Sequence, residues 1–184
     1  AGDDTIDGGD GTDVAVFAGN LEDYTFASSA NGLTVTVTDT KTGDADTVTG
    51  VETLRFAGDV DIGVSRDSTD GHMILTGTDA ADRITVVGDV GIEVPGTDGA
   101  DILTGGAGDD DIEGAAGNDT IAGGVGNDTL DGGADDDILS GDAGDDTIDG
   151  GDGTDIAKFA GKQADYTFAS SSDGKTITVT HVAT

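Results

Sequence analysis

Aspartates recur every nine residues along the second half of the chain, at Asp101, Asp110, Asp119, Asp128, Asp137, Asp146 and Asp155. Each is the sixth residue of a unit that opens with Gly and carries an aliphatic residue eighth. From Gly96 to Lys158 the units read GTDGADILT, GGAGDDDIE, GAAGNDTIA, GGVGNDTLD, GGADDDILS, GDAGDDTID and GGDGTDIAK. Carboxylates spaced so regularly among glycines suit a hard cation. Calcium takes six to eight oxygen ligands, and Gly-Asp loops supply both carboxylates and uncovered backbone carbonyls. With no Cys and only two His, the chain offers no soft-metal site.

The rest of each unit must position these carboxylates. Glycines at the first, second and fourth places permit the left-handed dihedrals of a tight loop. The remaining x-U-x is a three-residue strand whose central side chain points inward, giving an inner row of Leu103, Ile112, Ile121, Leu130, Leu139, Ile148 and Ala157. Two units make one flattened coil, so residues 18 apart stack at the strand spacing of about 4.8 Å. Asp101, Asp119, Asp137 and Asp155 then form one row, and Asp110, Asp128 and Asp146 the other. Unit charges about 5 Å apart repel by roughly 3 kcal/mol at an effective dielectric near 20. Summed along both rows, this rivals the stability of a small domain. A cation between successive loops reverses the sign.

Units of this pattern resemble the nonapeptide G-G-x-G-x-D-x-U-x of RTX proteins (repeats-in-toxin, or haemolysin-type calcium-binding repeats). The resemblance implies an all-β chain: a calcium-bound parallel β-roll, or solenoid, plus a small antiparallel β-sheet or sandwich segment. It also implies several Ca²⁺ ions, each between two stacked loops and held by their aspartates and backbone carbonyls. The pairs carried over are Asp101 with Asp119, Asp110 with Asp128, Asp119 with Asp137, Asp128 with Asp146, and Asp137 with Asp155. Carbonyls of the glycine loops would complete them: Gly99, Gly106, Gly108, Gly117, Gly124, Gly126, Gly133, Gly144, Gly151 and Gly153. Asp4, Asp13 and Asp82 hold the sixth place in further repeats and join the ligand set. Thr97, Ala115 and Asp142 replace the second Gly and Asp135 the fourth, so loop geometry is expected to depart most at 135.

Composition narrows the class. A formal charge of -32, from 39 acidic against 7 basic residues, argues against nucleic acid, which needs a basic surface, and against direct insertion into a membrane. Aromatics are 4% and Trp is absent, so the core must be thin and aliphatic, as in a solenoid. Absence of Cys excludes a disulfide framework. Weak calcium loops need the millimolar ion found outside cells, which places the chain as extracellular, secreted or at the cell surface.

In order, residues 1–16 read as the end of a β-roll and 17–62 as an antiparallel β segment. Within that segment 14–18, 23–28, 33–39 and 47–56 are predicted strands, with an Asn31-Gly32 hairpin turn. Phe17, Tyr24, Phe26, Val35, Val37, Leu54 and Phe56 would form its core. Residues 63–76 read as a polar linker and 77–158 as an RTX β-roll with its good repeats at 96–158. Between them VVGDVGIEVP is expected to cap the roll's first end. Residues 159–184 are a truncated second copy of the antiparallel segment. Residues 1–38 recur at 143–180 with 29 of 38 positions identical, so the unit repeats in tandem every 142 residues. Residues 1–16 are too short to stand alone. They are expected to abut the 77–85 repeat or to lean on a preceding unit or second molecule.

No catalytic set emerges, and the expectation is a chain that is not an enzyme. His72 and His181 lie in unrelated contexts, the serines lack a G-x-S-x-G elbow, and no phosphate-binding loop is present. The outward seventh positions are too irregular for an ice-binding ladder. The leading reading is a calcium-binding structural repeat module of a large secreted or cell-surface bacterial protein, of adhesin-stalk or surface-layer (S-layer) type, folding on calcium outside the cell. Its partners would be calcium and neighbouring copies of the unit. Alternatives are a secretion and folding appendix of a type I-exported enzyme or toxin, and a carbohydrate-binding module using Tyr24 and Phe26, or Tyr166, to stack a glycan.

Overall fold

The structure, a computed structural model, describes residues 2–29, 33–58, 60–66, 73–78, 82–86, 92–170 and 177–181. The Asn31-Gly32 turn and His72 lie outside them. Strands β1 (Thr5–Asp7) and β2 (Val14–Val16) come first. A 3-10 turn at Leu21–Asp23 leads into β3 (Tyr24–Ser28), β4 (Thr34–Asp39), β5 (Ala45–Thr49), β6 (Thr53–Phe56), β7 (Val60–Arg66) and β8 (Met73–Thr76). The ladder follows as β9 (Arg83–Thr85), β10 (Ile92–Pro95), β11 (Ile102–Thr104), β12 (Asp111–Glu113), β13 (Thr120–Val125), β14 (Thr129–Asp131), β15 (Ile138–Ala143), β16 (Thr147–Asp149) and β17 (Ile156–Ala157). A second 3-10 turn, Gln163–Asp165, precedes the hairpin β18 (Tyr166–Ser170) and β19 (Ile177–His181).

Parallel pairing with an 18-residue offset builds the solenoid: Leu103 opposes Ile121, Ile112 opposes Leu130, Ile121 opposes Leu139 and Leu130 opposes Ile148. The short strands follow from the unit itself. A β-branched or aliphatic centre flanked by polar residues suits a half-buried pleat, and the glycine loop stops it after three residues. Leu103, Ile112, Ile121, Leu130 and Leu139 are at most 1% exposed, whereas Ile148 is partly buried and Ala157 exposed at the end of the stack. Burying each such side chain contributes about 1.5–3 kcal/mol. The first coil is one residue longer, because the ten residues 86–95 interrupt the nine-residue register: Ile84 opposes Leu103, and Met73 opposes Ile92.

The roll does not end where the good repeats end. One eight-stranded sheet runs β16-β14-β12-β10-β8-β7-β6-β2. The other runs β17-β15-β13-β11-β9 and continues through a parallel bridge between Val86 and Phe26 into β3-β4-β5-β1. Their inward side chains form one core from Ala15 to Leu139. The seven core residues expected between Phe17 and Phe56 are all buried. Phe17, Tyr24 and Phe26 gather around Phe56 with ring centroids 5.3, 5.0 and 5.9 Å from it. Tyr24 and Phe26 are therefore core, and neither presents a face on which a sugar could stack.

Four expectations change. Residues 63–76 contain most of β7 and all of β8, an antiparallel pair inside the large sheet, with residues 67–72 between them outside the described set. The alternation of Val60, Ile62 and Val64 extends the strand past position 62, and Ile62 is fully buried. The 92–95 part of the expected cap is β10, an interior strand paired parallel to both β8 and β12. Residues 1–16 do not abut 77–85: β1 pairs with β5, and β2 with β6, both parallel. The predicted single strand 47–56 is split by Gly50, at φ 61°, into β5 and β6, one for each sheet.

Candidate metal centre

Each coil turns from one sheet to the other through a Gly-Asp loop, and the sixth-position aspartates project into the loop edges. Asp101, Asp110, Asp119, Asp128 and Asp137 are 1–3% exposed and Asp82 7%, while Asp146, Asp155 and Asp13 are half-buried and Asp4 is exposed. The five pairs expected from the sequence meet through one repeated contact. Asp119, Asp128, Asp137, Asp146 and Asp155 each use Oδ1 to accept the backbone N–H of the aspartate 18 residues earlier, at 2.7–3.1 Å. Asp101 does the same for the Asp82 N–H at 2.8 Å.

The second carboxylate oxygen is left over. Oδ2 of Asp119, Asp128 and Asp137 is buried and has no hydrogen-bond partner, and so is Oδ2 of Asp13. A buried oxygen bearing negative charge without a donor is costly. Burial foremost, then the neighbouring carboxylates, pushes Asp119 up to about 6, and the same causes raise Asp101, Asp128 and Asp137. In each case a backbone N–H hydrogen bond opposes the rise. The orphaned oxygens, aligned and anionic, fit a hard cation. Among the described residues no three His, Cys, Asp or Glu side chains converge on one point. Any ion here must draw much of its shell from backbone carbonyls, as calcium does readily.

The glycines explain how oxygen is brought so close. First-position glycines are required by space: a methyl group on Gly114, Gly123 or Gly132 would lie 2.3–2.4 Å from Oδ2 of its own unit's aspartate, and on Gly105 also 2.2 Å from the Gly123 carbonyl oxygen. This corrects the conformational reason given for that position. From Gly117 onward the second and fourth positions use left-handed backbone, with Gly117, Gly124, Gly126, Gly133, Gly144, Gly151 and Gly153 all at positive φ; Gly99, Gly106 and Gly108 do not. Ala115 at φ 74° and Asp142 at 66° lie nearest the second-position Gly151 at 83°, whereas Asp135 at 79° differs from the fourth-position glycines Gly117, Gly126, Gly144 and Gly153, which lie at 128–157°. The departure expected at 135 is seen in this φ, and all three non-glycine residues carry left-handed strain.

The candidate carbonyls are not equivalent. Those of Gly106 and Gly133 accept N–H bonds from Val125 and Asp152 of the next coil. Those of Gly99, Gly108 and Gly126 lie directly under the fourth-position glycine 18 residues on, where a Cβ would meet them at 1.6–2.1 Å.

Two sets of residues were not singled out in the sequence. Fifth-position side chains form a second ladder: Asp109, Asn118, Asn127 and Asp136 accept the backbone N–H of the residue 18 later, at 2.8–3.4 Å. Asp46 and Glu52 extend the carboxylate row into the irregular half, accepting the N–H groups of Asp4 and Asp13 at 2.9 Å. Their signal is the D/E-T-U triplet in Asp46-Thr47-Val48 and Glu52-Thr53-Leu54, which matches the x-D-x-U end of a unit without its glycines.

Stacked Gly-Asp loops joined by short parallel strands define a calcium-binding β-roll. A family model of the RTX calcium-binding nonapeptide repeat matches residues 1–16, 95–130 and 122–157, and these stretches are RTX repeats. No curated protein matches the chain. Among solved structures, the extracellular lipase LipA from Serratia marcescens aligns with 90% of this chain at 20% identity and a TM-score of 0.30. The chain spans 29% of that lipase's length.

Proposed function

We propose that the chain is a calcium-dependent structural repeat of a large exported protein, an extracellular spacer of the adhesin-stalk or surface-layer kind. The observation that carries this reading is the double row of buried aspartates, in which Oδ2 of Asp119, Asp128 and Asp137 has no hydrogen-bond partner. Such a stack is unfavourable alone and favourable around cations. Asp101, Asp110, Asp119, Asp128, Asp137, Asp146 and Asp155 would hold the ions between coils, together with the carbonyls of Gly99, Gly108 and Gly126. Asp4, Asp13 and Asp82 would do so at the less regular loops. Bound calcium supplies the positive charge that the loops lack.

The chain's own part is to hold carboxylates in register and to zip when they are neutralised. At low calcium the acidic ladder repels itself and stays expanded, a form suited to passage through a narrow exporter. At the millimolar calcium outside a cell the coils close on one another, each templated by its neighbour. The internal repeat of 142 residues favours a length-spanning role over a single appendix to an enzyme. Circular dichroism across a calcium titration, with bound calcium counted by equilibrium dialysis, tests the proposal. Cooperative gain of β signal with several ions bound is expected. Full β structure in excess chelator would overturn it.

A further inference from the structure

The two copies of the repeated sequence wear different surroundings, and the difference identifies a docking face. Residues 1–38 and 143–180 are 29 of 38 identical, and their elements correspond: β1 to β16, β2 to β17, and the β3–β4 hairpin to β18–β19. The hairpin registers match, Tyr24 opposing Asp39 and Tyr166 opposing His181. Their exposure does not match. Phe26 is fully buried but Phe168 is 54% exposed; Phe17 is 7% exposed but Phe159 is 47%. Ala15 and Val37 are buried, Ala157 is exposed and Val179 half-buried.

In the first copy the covering comes from β5 and β6 and, along the outer edge of β3, from β9 and Val86. β5 pairs with both β4 and β1, and β6 with β2, while Phe56 of β6 lies at the centre of the rings of Phe17, Tyr24 and Phe26. In the second copy β16 and β17 are terminal strands of their sheets, and β18–β19 is a two-stranded sheet by itself. The side chains that met β5 and β6 are unchanged: Ala157, Phe159, Tyr166, Phe168 and Val179 repeat Ala15, Phe17, Tyr24, Phe26 and Val37. Val35 becomes Ile177, and Leu21, which lies beside β9, becomes Gln163.

We propose that the face formed by β16, β17 and the β18–β19 hairpin binds a further copy of the segment Gly43–Arg66, carried by polypeptide that continues the tandem array. The proposal rests on the structural-repeat reading and adds the partner. It also fixes how units join. β1 belongs to the sheet that leads through β3 to β9 and β17, whereas β16, its sequence twin, belongs to the sheet of β2. A strand Thr-Ile-Asp with β14 on one edge and a new β5 on the other makes one sheet continuous across the junction. The same holds for β17 between β15 and a new β6. All four pairings are parallel in the copies present, so they are compatible. The two sheets exchange roles from each unit to the next, and no flexible linker intervenes.

The test extends the full chain past Thr184 with the sequence of residues 43–66, keeping the 142-residue register, and follows amide hydrogen exchange in saturating calcium. Protection at 166–170 and 178–181 should rise more than about tenfold, toward that of 24–28 and 36–39, and the appended segment should be protected. Changing the appended counterparts of Leu54 and Phe56 to Asp should abolish both effects. Free exchange of the appended segment while β3–β6 stay protected would overturn the docking proposal alone. Loss of protection in β11–β15, in saturating calcium, would overturn the calcium-folded roll itself. Dimerisation of the unextended chain through Phe159 and Phe168 would assign the face to a different occupant and equally overturn the proposal.

Discussion

The two halves of the roll share a pair of sheets yet are held together by different forces. Between Gly96 and Lys158 the loops carry the burden: one aliphatic residue per unit fills the interior, and stacked carboxylates line the edges. Between Phe17 and Val86 the glycine loops disappear and bulk replaces them, with three aromatic rings packed around Phe56 and longer strands. Hydrophobic burial is indifferent to calcium, whereas a row of anions is not. One architecture can thus be conditional at one end and self-sufficient at the other.

Removing calcium should separate the halves most clearly. With chelator, amides of β11–β17 should exchange freely while those of β3–β6 retain protection, as read by hydrogen exchange; simultaneous loss of both would merge the halves into one ion-dependent unit. Phe56→Ala is the reciprocal lesion. It leaves a cavity among the rings and should cost about 3–5 kcal/mol in the aromatic half, with ladder amides unmoved in thermal or denaturant melts that resolve the two.

Asp119→Asn should act with opposite signs in the two conditions. The amide still offers an oxygen to the Asp101 N–H, so in calcium the change removes a charged ligand and should cost about 1–3 kcal/mol, seen as a folding midpoint at higher calcium. In chelator it removes a buried charge and should stabilise. Acid should imitate it. Asp119 is raised to about 6 in the folded, metal-free chain against an ordinary value near 4. The folded state therefore binds the extra proton, and metal-free stability rises as pH falls from 7 through 6 toward 4. Circular dichroism in chelator should show β signal growing over that window, and calcium affinity should weaken over the same range. The smallest effect expected is from Ala115→Gly, which relieves a left-handed alanine and should stabilise the ladder by about 1 kcal/mol.

The ladder was readable from sequence because each of its residues answers to a local demand: a glycine where a carboxylate or carbonyl approaches, an aliphatic where a strand faces inward, an aspartate where the loop turns. Coil length, inner row and aspartate pairing follow from that period. The irregular half was readable in its core residues and in strands β2, β3 and β4, but not in how its strands join the roll. Asp46 and Glu52 continue the carboxylate row without glycine loops, so they lack the nine-residue signature. The polar stretch after Ile62 looked like a linker because Gly63 and Ser65 alternate with Val64 on a strand held on both sides by β6 and β8. Where a backbone goes in that half depends on partners distant in the chain, such as the Phe26 bridge to Val86.

The paired side-chain ladders give every coil two chemically distinct faces. Sixth-position N–H groups point forward to the next coil and sixth-position carboxylates point back, while fifth-position oxygens point forward and the N–H groups they meet point back. A coil turned over would set donor against donor and anion against anion. Growth of such a stack is therefore vectorial: coils add in one orientation only, so that an assembly of any length has a unique polarity along its axis.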